Sequence, residues 1–103
     1  MKNKILDQVK QAVLKLEPTA EVILYGSRAR KDYNKNSDWD FLILVDGLVD
    51  TTRTDRIRCA LYDIELNTNM IISSIVRSKK VWNSRKYAVI PLKINVEREG
   101  IRI

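Results

Sequence analysis

Two aspartates, Asp38 and Asp40, flank Trp39 where a polar stretch gives way to the apolar run Trp39–Val45. On a strand, residues i and i+2 point to the same side with backbones about 6.5–7 Å apart. Carboxylates placed that way can converge on a pair of cations about 3.5–4 Å apart. Hard carboxylate oxygens favour Mg²⁺ among the common ions. Two unpaired carboxylates so close would repel, and a bound cation gives both a reason to be there. Mg²⁺ in that place would bridge a triphosphate and balance the charge that develops during in-line displacement. Asp38 and Asp40 are therefore the candidate catalytic residues and the candidate ligands of a two-metal site.

Upstream, ten residues separate Asp38 from Gly26-Ser27, which ends the β-rich run Glu21–Tyr25. Glycine lets a backbone approach a phosphate with no Cβ in the way. The Ser27 hydroxyl and nearby N–H groups can donate to phosphate oxygens, more so where a helical turn begins. Of the two arginines that follow, Arg30 is favoured to face phosphate, while at least one of Arg28 and Arg30 is expected to face solvent. Ser37 adds a hydroxyl beside the first aspartate. Gly26, Ser27, Arg30 and Ser37 are thus the nucleotide-binding candidates, with a nucleoside triphosphate as ligand. Taken alone, a Gly-Ser turn is commonplace and an Asp-x-Asp strand start is often merely solvated. Strand, Gly-Ser, ten residues and Asp-x-Asp leading into an apolar strand together form a sharper pattern. The run from Gly26 to Lys31 lacks the second glycine and the Lys-Ser/Thr ending of a Walker A loop, which argues against a P-loop NTPase.

The elements that must hold these residues are readable in outline. Residues 3–16 carry Ile5, Leu6, Val9, Val13, Leu14 and Leu16 at helical period, and Glu17-Pro18 stops them. Glu21–Tyr25 reads as a strand, residues 28–37 as a loop that starts with a helical turn, and Trp39–Val45 as a strand buried on both faces beyond Asp40. Asp46-Gly47 closes that strand. Thr52-x-x-Asp55 resembles a capping box opening a helix to about Leu66 that buries Ile57, Ala60, Leu61 and Ile64, and Asn67-Thr68-Asn69 breaks it. Residues 70–76 are a third strand, Ser78 caps a short helix carrying Trp82, and Pro91 and Gly100 bound a last helix. The fold class expected is α/β (α+β), a small mixed sheet packed with helices.

Composition narrows the function. The chain has 103 residues, which fits one domain spanning 1–103, and 45% of them are apolar. No apolar run approaches the roughly 18 residues of a membrane span, and no apolar segment of a secretory leader follows the basic start. The lone Cys59, expected to pack beside its helix's apolar stripe, leaves no internal disulfide and points to a reduced, cytoplasmic setting. Absence of histidine removes His-based catalysis and His-bound metals. The net charge of +6 suits an anionic partner, although dispersed Lys and Arg equally serve solubility. Few aromatic residues are available to stack bases, so nucleic acid is disfavoured as partner. Exposed strand edges leave room for a homo-oligomer.

At residues 22–25, Gly26-Ser27-Arg28-Ala29-Arg30 and Ser37-Asp38-Trp39-Asp40, the chain resembles the nucleotidyltransferase superfamily with the DNA polymerase beta-like fold. It is most similar to the minimal nucleotidyltransferases of bacteria and archaea, and the ending from Pro91 to Gly100 has the flavour of that group. The resemblance implies transfer of a nucleoside monophosphate, AMP from ATP, to a hydroxyl, with Gly26 and Ser27 on phosphates and Asp38 and Asp40 on Mg²⁺. It also implies a partner. Minimal members are often paired with a HEPN-domain protein as a toxin–antitoxin-like system, in some pairs attaching AMP to a tyrosine of the toxin. Active members usually carry a third carboxylate on a neighbouring strand. Residues 70–76 contain no acid, and Ile71 stands where one is expected. Asp63 and Glu65 lie close in sequence but read as helical. The alternative reading is therefore a catalytically weak or degenerate nucleotide-binding antitoxin that acts by contact with its partner.

Overall fold

The computed structural model describes residues 4–103. The expected first helix falls within it from Lys4 onward, while residue 3 and the rest of the basic start lie outside the described residues. Helix α1 (Lys4–Leu16) buries Ile5, Val9 and Val13, a spacing of four that puts all three on one face. Strand β1 (Glu21–Tyr25) leads through Gly26 into one helical turn, α2 (Ser27–Arg30). Strand β2 (Trp39–Val45) follows a loop, and every residue from Phe41 to Val45 is buried, as a strand covered on both faces must be.

Helix α3 (Thr51–Thr68) starts earlier than the sequence pattern suggests. Its cap is Asp50, whose Oδ1 accepts from the Arg53 N–H at 2.8 Å, so Thr52 lies inside the first turn and no Thr52–Asp55 capping box forms. Aspartate is the stronger N-cap and sits in the extended conformation a cap requires. The helix buries Ile57, Leu61 and Ile64, with Ala60 only partly covered. It ends at Asn69 in the left-handed conformation, whose N–H donates to the Glu65 carbonyl.

Strand β3 (Ile72–Ser78) begins two residues later than expected, because Asn69 and the connection after it complete the helix exit first. Ser78 caps α4 (Lys79–Trp82) by accepting from the Val81 N–H at 3.0 Å. A 3₁₀ turn, Arg85–Val89, then leads into α5 (Pro91–Glu99), which starts at its proline and stops before Gly100 as the sequence indicates. A two-residue strand, β4 (Ile101–Arg102), is an addition that the hydropathy pattern is too short to reveal.

The sheet has the order β3-β2-β1-β4. Strands β1 and β2 are antiparallel, β1 and β4 antiparallel, and β2 and β3 parallel, so the sheet is mixed. Phe41, Ile43 and Val45 face one core with Ile5, Val9, Val13, Ile57 and Leu61 from α1 and α3. Leu42 and Leu44 face the other with Ile23, Trp82 and Val96. Lys93, itself buried, fastens that second layer: its Nζ donates to the Trp82 carbonyl at 2.8 Å and lies 4.9 Å from the Trp82 ring centre. Among the described residues no helix is long and apolar enough to cross a membrane.

One ion pair ties the end of α1 to the start of α3. Arg53 grips Glu17 with two hydrogen bonds, 2.8 Å and 2.6 Å, and its third nitrogen donates to the Leu48 carbonyl. The paired geometry holds the Glu17 carboxyl below its usual range, chiefly through the hydrogen bonds from Arg53. A carboxylate whose folded pKa is depressed stabilises the fold above its unfolded pKa, and that contribution disappears as pH falls through the folded value. Arg53→Ala is expected to cost about 1–3 kcal/mol at neutral pH, a hydrogen bond to a charged group being lost. Urea unfolding should show the difference between Arg53→Ala and the wild type shrinking as pH drops below the ordinary glutamate range.

Candidate functional site

The register of the sheet brings the two halves of the motif together. Tyr25 pairs with Asp40 across the antiparallel β1–β2 ladder, so the residue after Tyr25 stands beside the Asp40 side chain. That residue is Gly26, with φ +76°, a conformation that disfavours any side chain. The Asp40 Oδ2 atom lies so close to Gly26 that a Cβ there would overlap it. Glycine is therefore needed twice, for the backbone angle and for the space. Directly after it, Ser27 opens α2, whose first turn bonds the Ala29 and Arg30 N–H groups to the Gly26 carbonyl at 3.0 Å each.

Asp40 is half-buried, while Asp38, just before β2, is exposed. Burial pushes the Asp40 carboxyl above its usual range, the neighbouring Asp38 charge pushes it further, and Arg30 partly offsets both. Asp38 and Asp40 thus feel each other directly. The same burial and the Asp40 charge raise the Tyr25 phenol. Two oxygen-donor carboxylates in mutual repulsion, one of them pressed against a glycine-serine corner, are a donor set suited to a hard divalent cation with phosphate beside it.

The remaining candidates are placed less simply. Arg30 lies near enough to influence Asp40, but its guanidinium is held by Asp32 at 3.1 Å and by Glu99 of α5 at 3.2 Å and 3.3 Å. Arg28 does not face open solvent: it stacks on Tyr33 and Trp39 and donates to backbone carbonyls of the loop. Ser37 is engaged locally, its hydroxyl accepting from the Asn34 N–H at 3.1 Å and its carbonyl accepting from Arg28.

Residues 6–98 match the family model of the nucleotidyltransferase domain. The chain belongs to the nucleotidyltransferase family. Its fold also resembles that of a solved structure described as "Crystal structure of the toxin-antitoxin with AMP-PNP", with a TM-score of 0.63 at 13% identity over 93% of this chain and 69% of the other. No curated protein matches the chain.

Within this nucleotidyltransferase chain the register corrects one expectation. Asp40 pairs with Ser73 of β3, not with a position near Ile71, which precedes the strand, is exposed, and lends its carbonyl to the Trp39 N–H at 2.9 Å. The residue level with Asp40 on the neighbouring strand is therefore a serine. Among the described residues no group of three or more Asp, Glu, Cys or His side chains gathers to hold a metal. Asp63 stays on an exposed face of α3, and Glu65 accepts from the Ile72 N–H at 2.7 Å, closing off the start of the sheet edge. Cys59 is exposed, contrary to its expected packing: Ile57 and Leu61 take the buried positions on either side of it, and it lines an open cleft with Tyr62 and Ser73. Tyr25, Ser73 and Glu99 are the neighbours that the sequence alone did not single out. Strand pairing and helix docking bring them to the site, and no local motif announces either.

Two consequences can be measured. Gly26→Ala should destabilise the protein by about 1–3 kcal/mol through backbone strain. Part of that loss should vanish in an Asp40→Ala background, where the overlapping carboxylate is gone, as a double-mutant cycle on thermal unfolding would show. A carboxyl whose folded pKa is raised penalises the fold above that pKa and not below the unfolded value. Asp40→Asn should accordingly stabilise the metal-free protein at neutral pH, with the gain fading as pH falls from the raised Asp40 value and gone once pH is below the ordinary aspartate value.

Proposed function

We propose that residues 1–103 act as one catalytic unit that transfers AMP from ATP to a hydroxyl acceptor with Mg²⁺ held by Asp38 and Asp40. The observation that carries this reading is the packing of Asp40 against Gly26, which sets a pair of repelling carboxylates beside a corner free of side-chain bulk. Mg²⁺ in that place supplies charge neutralisation across the triphosphate and the departing pyrophosphate. The chain's own part is binding and orientation. The Ser27 hydroxyl, with the N–H groups that the first turn of α2 leaves without helical partners, offers donors to phosphate oxygens. Ser37 stands beside Asp38 as a further hydroxyl, and Arg30 adds positive charge near Asp40. In the reaction the acceptor oxygen bonds to the α-phosphorus as the bond to the pyrophosphate oxygen breaks, pyrophosphate departs, and the acceptor proton passes to bulk water.

The partner that supplies the hydroxyl is read from resemblance. The similar solved structure is of a toxin–antitoxin with AMP-PNP, which supports a protein partner and an adenine nucleotide. Our specific reading is a tyrosine of a HEPN-domain toxin, modified in the reducing interior of the cell. A second reading rests on Ser73. With a serine level with Asp40 and no acid anywhere in β3, the chain could silence its partner by contact and bind nucleotide without turning it over.

One experiment separates the readings. The protein is incubated with labelled ATP, Mg²⁺ and the product of a neighbouring gene, beside an Asp38→Asn/Asp40→Asn variant. The enzymatic reading expects label on the partner with the wild type and none with the variant, which should remain folded. Neutralisation of the partner by the double variant, without label, would instead establish the contact reading. Absence of label and of neutralisation with a folded wild type would contradict both.

A further inference from the structure

We infer that Arg28 is a positioning residue that clamps the segment carrying Asp38 onto the phosphate corner, an inference that rests on the nucleotidyltransferase reading above and assigns a residue to its assembly. Arg28 directly follows Ser27 in α2, so its backbone belongs to the corner. Its side chain belongs to the other half of the site. The guanidinium carbon lies 4.3 Å from the Tyr33 ring centre and 4.3 Å from that of Trp39. Its Nε and Nη2 donate to the Ser37 carbonyl at 3.3 Å and 3.2 Å, and Nη2 reaches the Lys35 carbonyl at 3.4 Å.

These contacts bracket Asp38. The Ser37 carbonyl belongs to the peptide plane that enters Asp38, and Trp39 is the residue that leaves it. Residues 31–36 are exposed; the start of the loop is tied to α2 by the Asp32 N–H on the Ser27 carbonyl and by the Arg30–Asp32 pair, and its middle by short-range bonds around Asn34 and Ser37. At the Asp38 end of the segment, the tie to α2 is Arg28, through the Lys35 and Ser37 carbonyls and the Trp39 ring. Its planar fork can receive an aromatic face and meet two carbonyls at once, which a lysine point charge cannot do. Trp39 is buried in the core under α1 and α3, so the clamp transmits the rigidity of that core to an otherwise exposed carboxylate. The charge of Arg28 goes to rings and carbonyls, and phosphate binding is left to the corner itself.

The test uses the full chain with Arg28→Lys, Tyr33→Ala and Asp38→Asn. Tyr33 is about half exposed and lies outside both cores, so its removal leaves them intact if Arg28 variants prove unstable. Mg²⁺ affinity in the presence of ATP, ATP affinity without Mg²⁺, and hydrogen exchange across residues 31–38 are measured for each. Arg28→Lys should lose about 10–100-fold in Mg²⁺ affinity, the usual effect of removing an outer support of a metal ligand. Exchange in the loop should quicken, Tyr33→Ala should show both effects more weakly, and ATP affinity without Mg²⁺ should hold. Arg28→Lys with wild-type Mg²⁺ affinity and loop protection would overturn the clamp. So would a loss confined to ATP binding without Mg²⁺, which marks a phosphate ligand instead. A folded wild type that binds no Mg²⁺ would sink the nucleotidyltransferase reading itself, and loop exchange would then decide whether the clamp exists.

Discussion

A carboxylate that is half-buried on a sheet, raised in pKa by its own burial and by a second carboxylate two residues away, constrains whatever is built around it. Asp40 is that group. Its oxygen occupies the space beside Gly26 that any other residue's Cβ would need, so the end of β1 must be a glycine with positive φ. The chain must turn there, and it turns directly into α2. The corner that could receive phosphate and the carboxylate that could hold metal are thus adjacent because one excludes bulk from the other.

Such an arrangement has to be held stiffly, since left alone it would relax by letting the carboxylates swing apart. The strand after Asp40 provides the stiffness: Phe41 to Val45 are buried, alternating between a core under α1 and α3 and a core against α4 and α5. Each buried apolar side chain of this size contributes about 1.5–3 kcal/mol, enough for β2 to hold the strained end in place. The cationic side chains nearby serve the same purpose. Arg30 links α2 to α5 through Glu99, and Arg28 links it to the loop and to Trp39. Although the net charge is +6, the arginines nearest the corner are engaged with the protein itself.

Much of this was legible in the residues. The Gly26 turn after β1 and the buried strand behind Asp40 are local patterns with local causes and stand where the residues indicate, whereas Asp38 falls one residue ahead of β2 rather than on it. Helices α1, α4 and α5 start and stop at signals written in single residues: Pro18, Ser78, Pro91 and Gly100. The errors came where the deciding contact is distant or where two local signals compete. Asp50 outcompeted Thr52 as a cap. The register of β3 against β2, which made Ser73 and not Ile71 the neighbour of Asp40, is set by α3 and its exit at Asn69. Arg28 reads in the sequence as the less favoured of two basic residues beside the corner, and its partners Tyr33 and Trp39 become neighbours only after the loop closes. Strand β4 has two residues and no periodicity to read.

The most direct test of the central claim uses Mn²⁺ as a paramagnetic stand-in for Mg²⁺, titrated into the isotopically labelled protein with ATP present. If the carboxylate pair and the glycine-serine corner form one cation and phosphate site, amide signals of Gly26, Ser27, Asp38, Asp40 and Ser73 should broaden first, and the Asp38→Asn/Asp40→Asn variant should lose that selectivity. Broadening centred on the α3 acids Asp55, Asp63 and Glu65, or spread evenly over the surface carboxylates, would contradict the account.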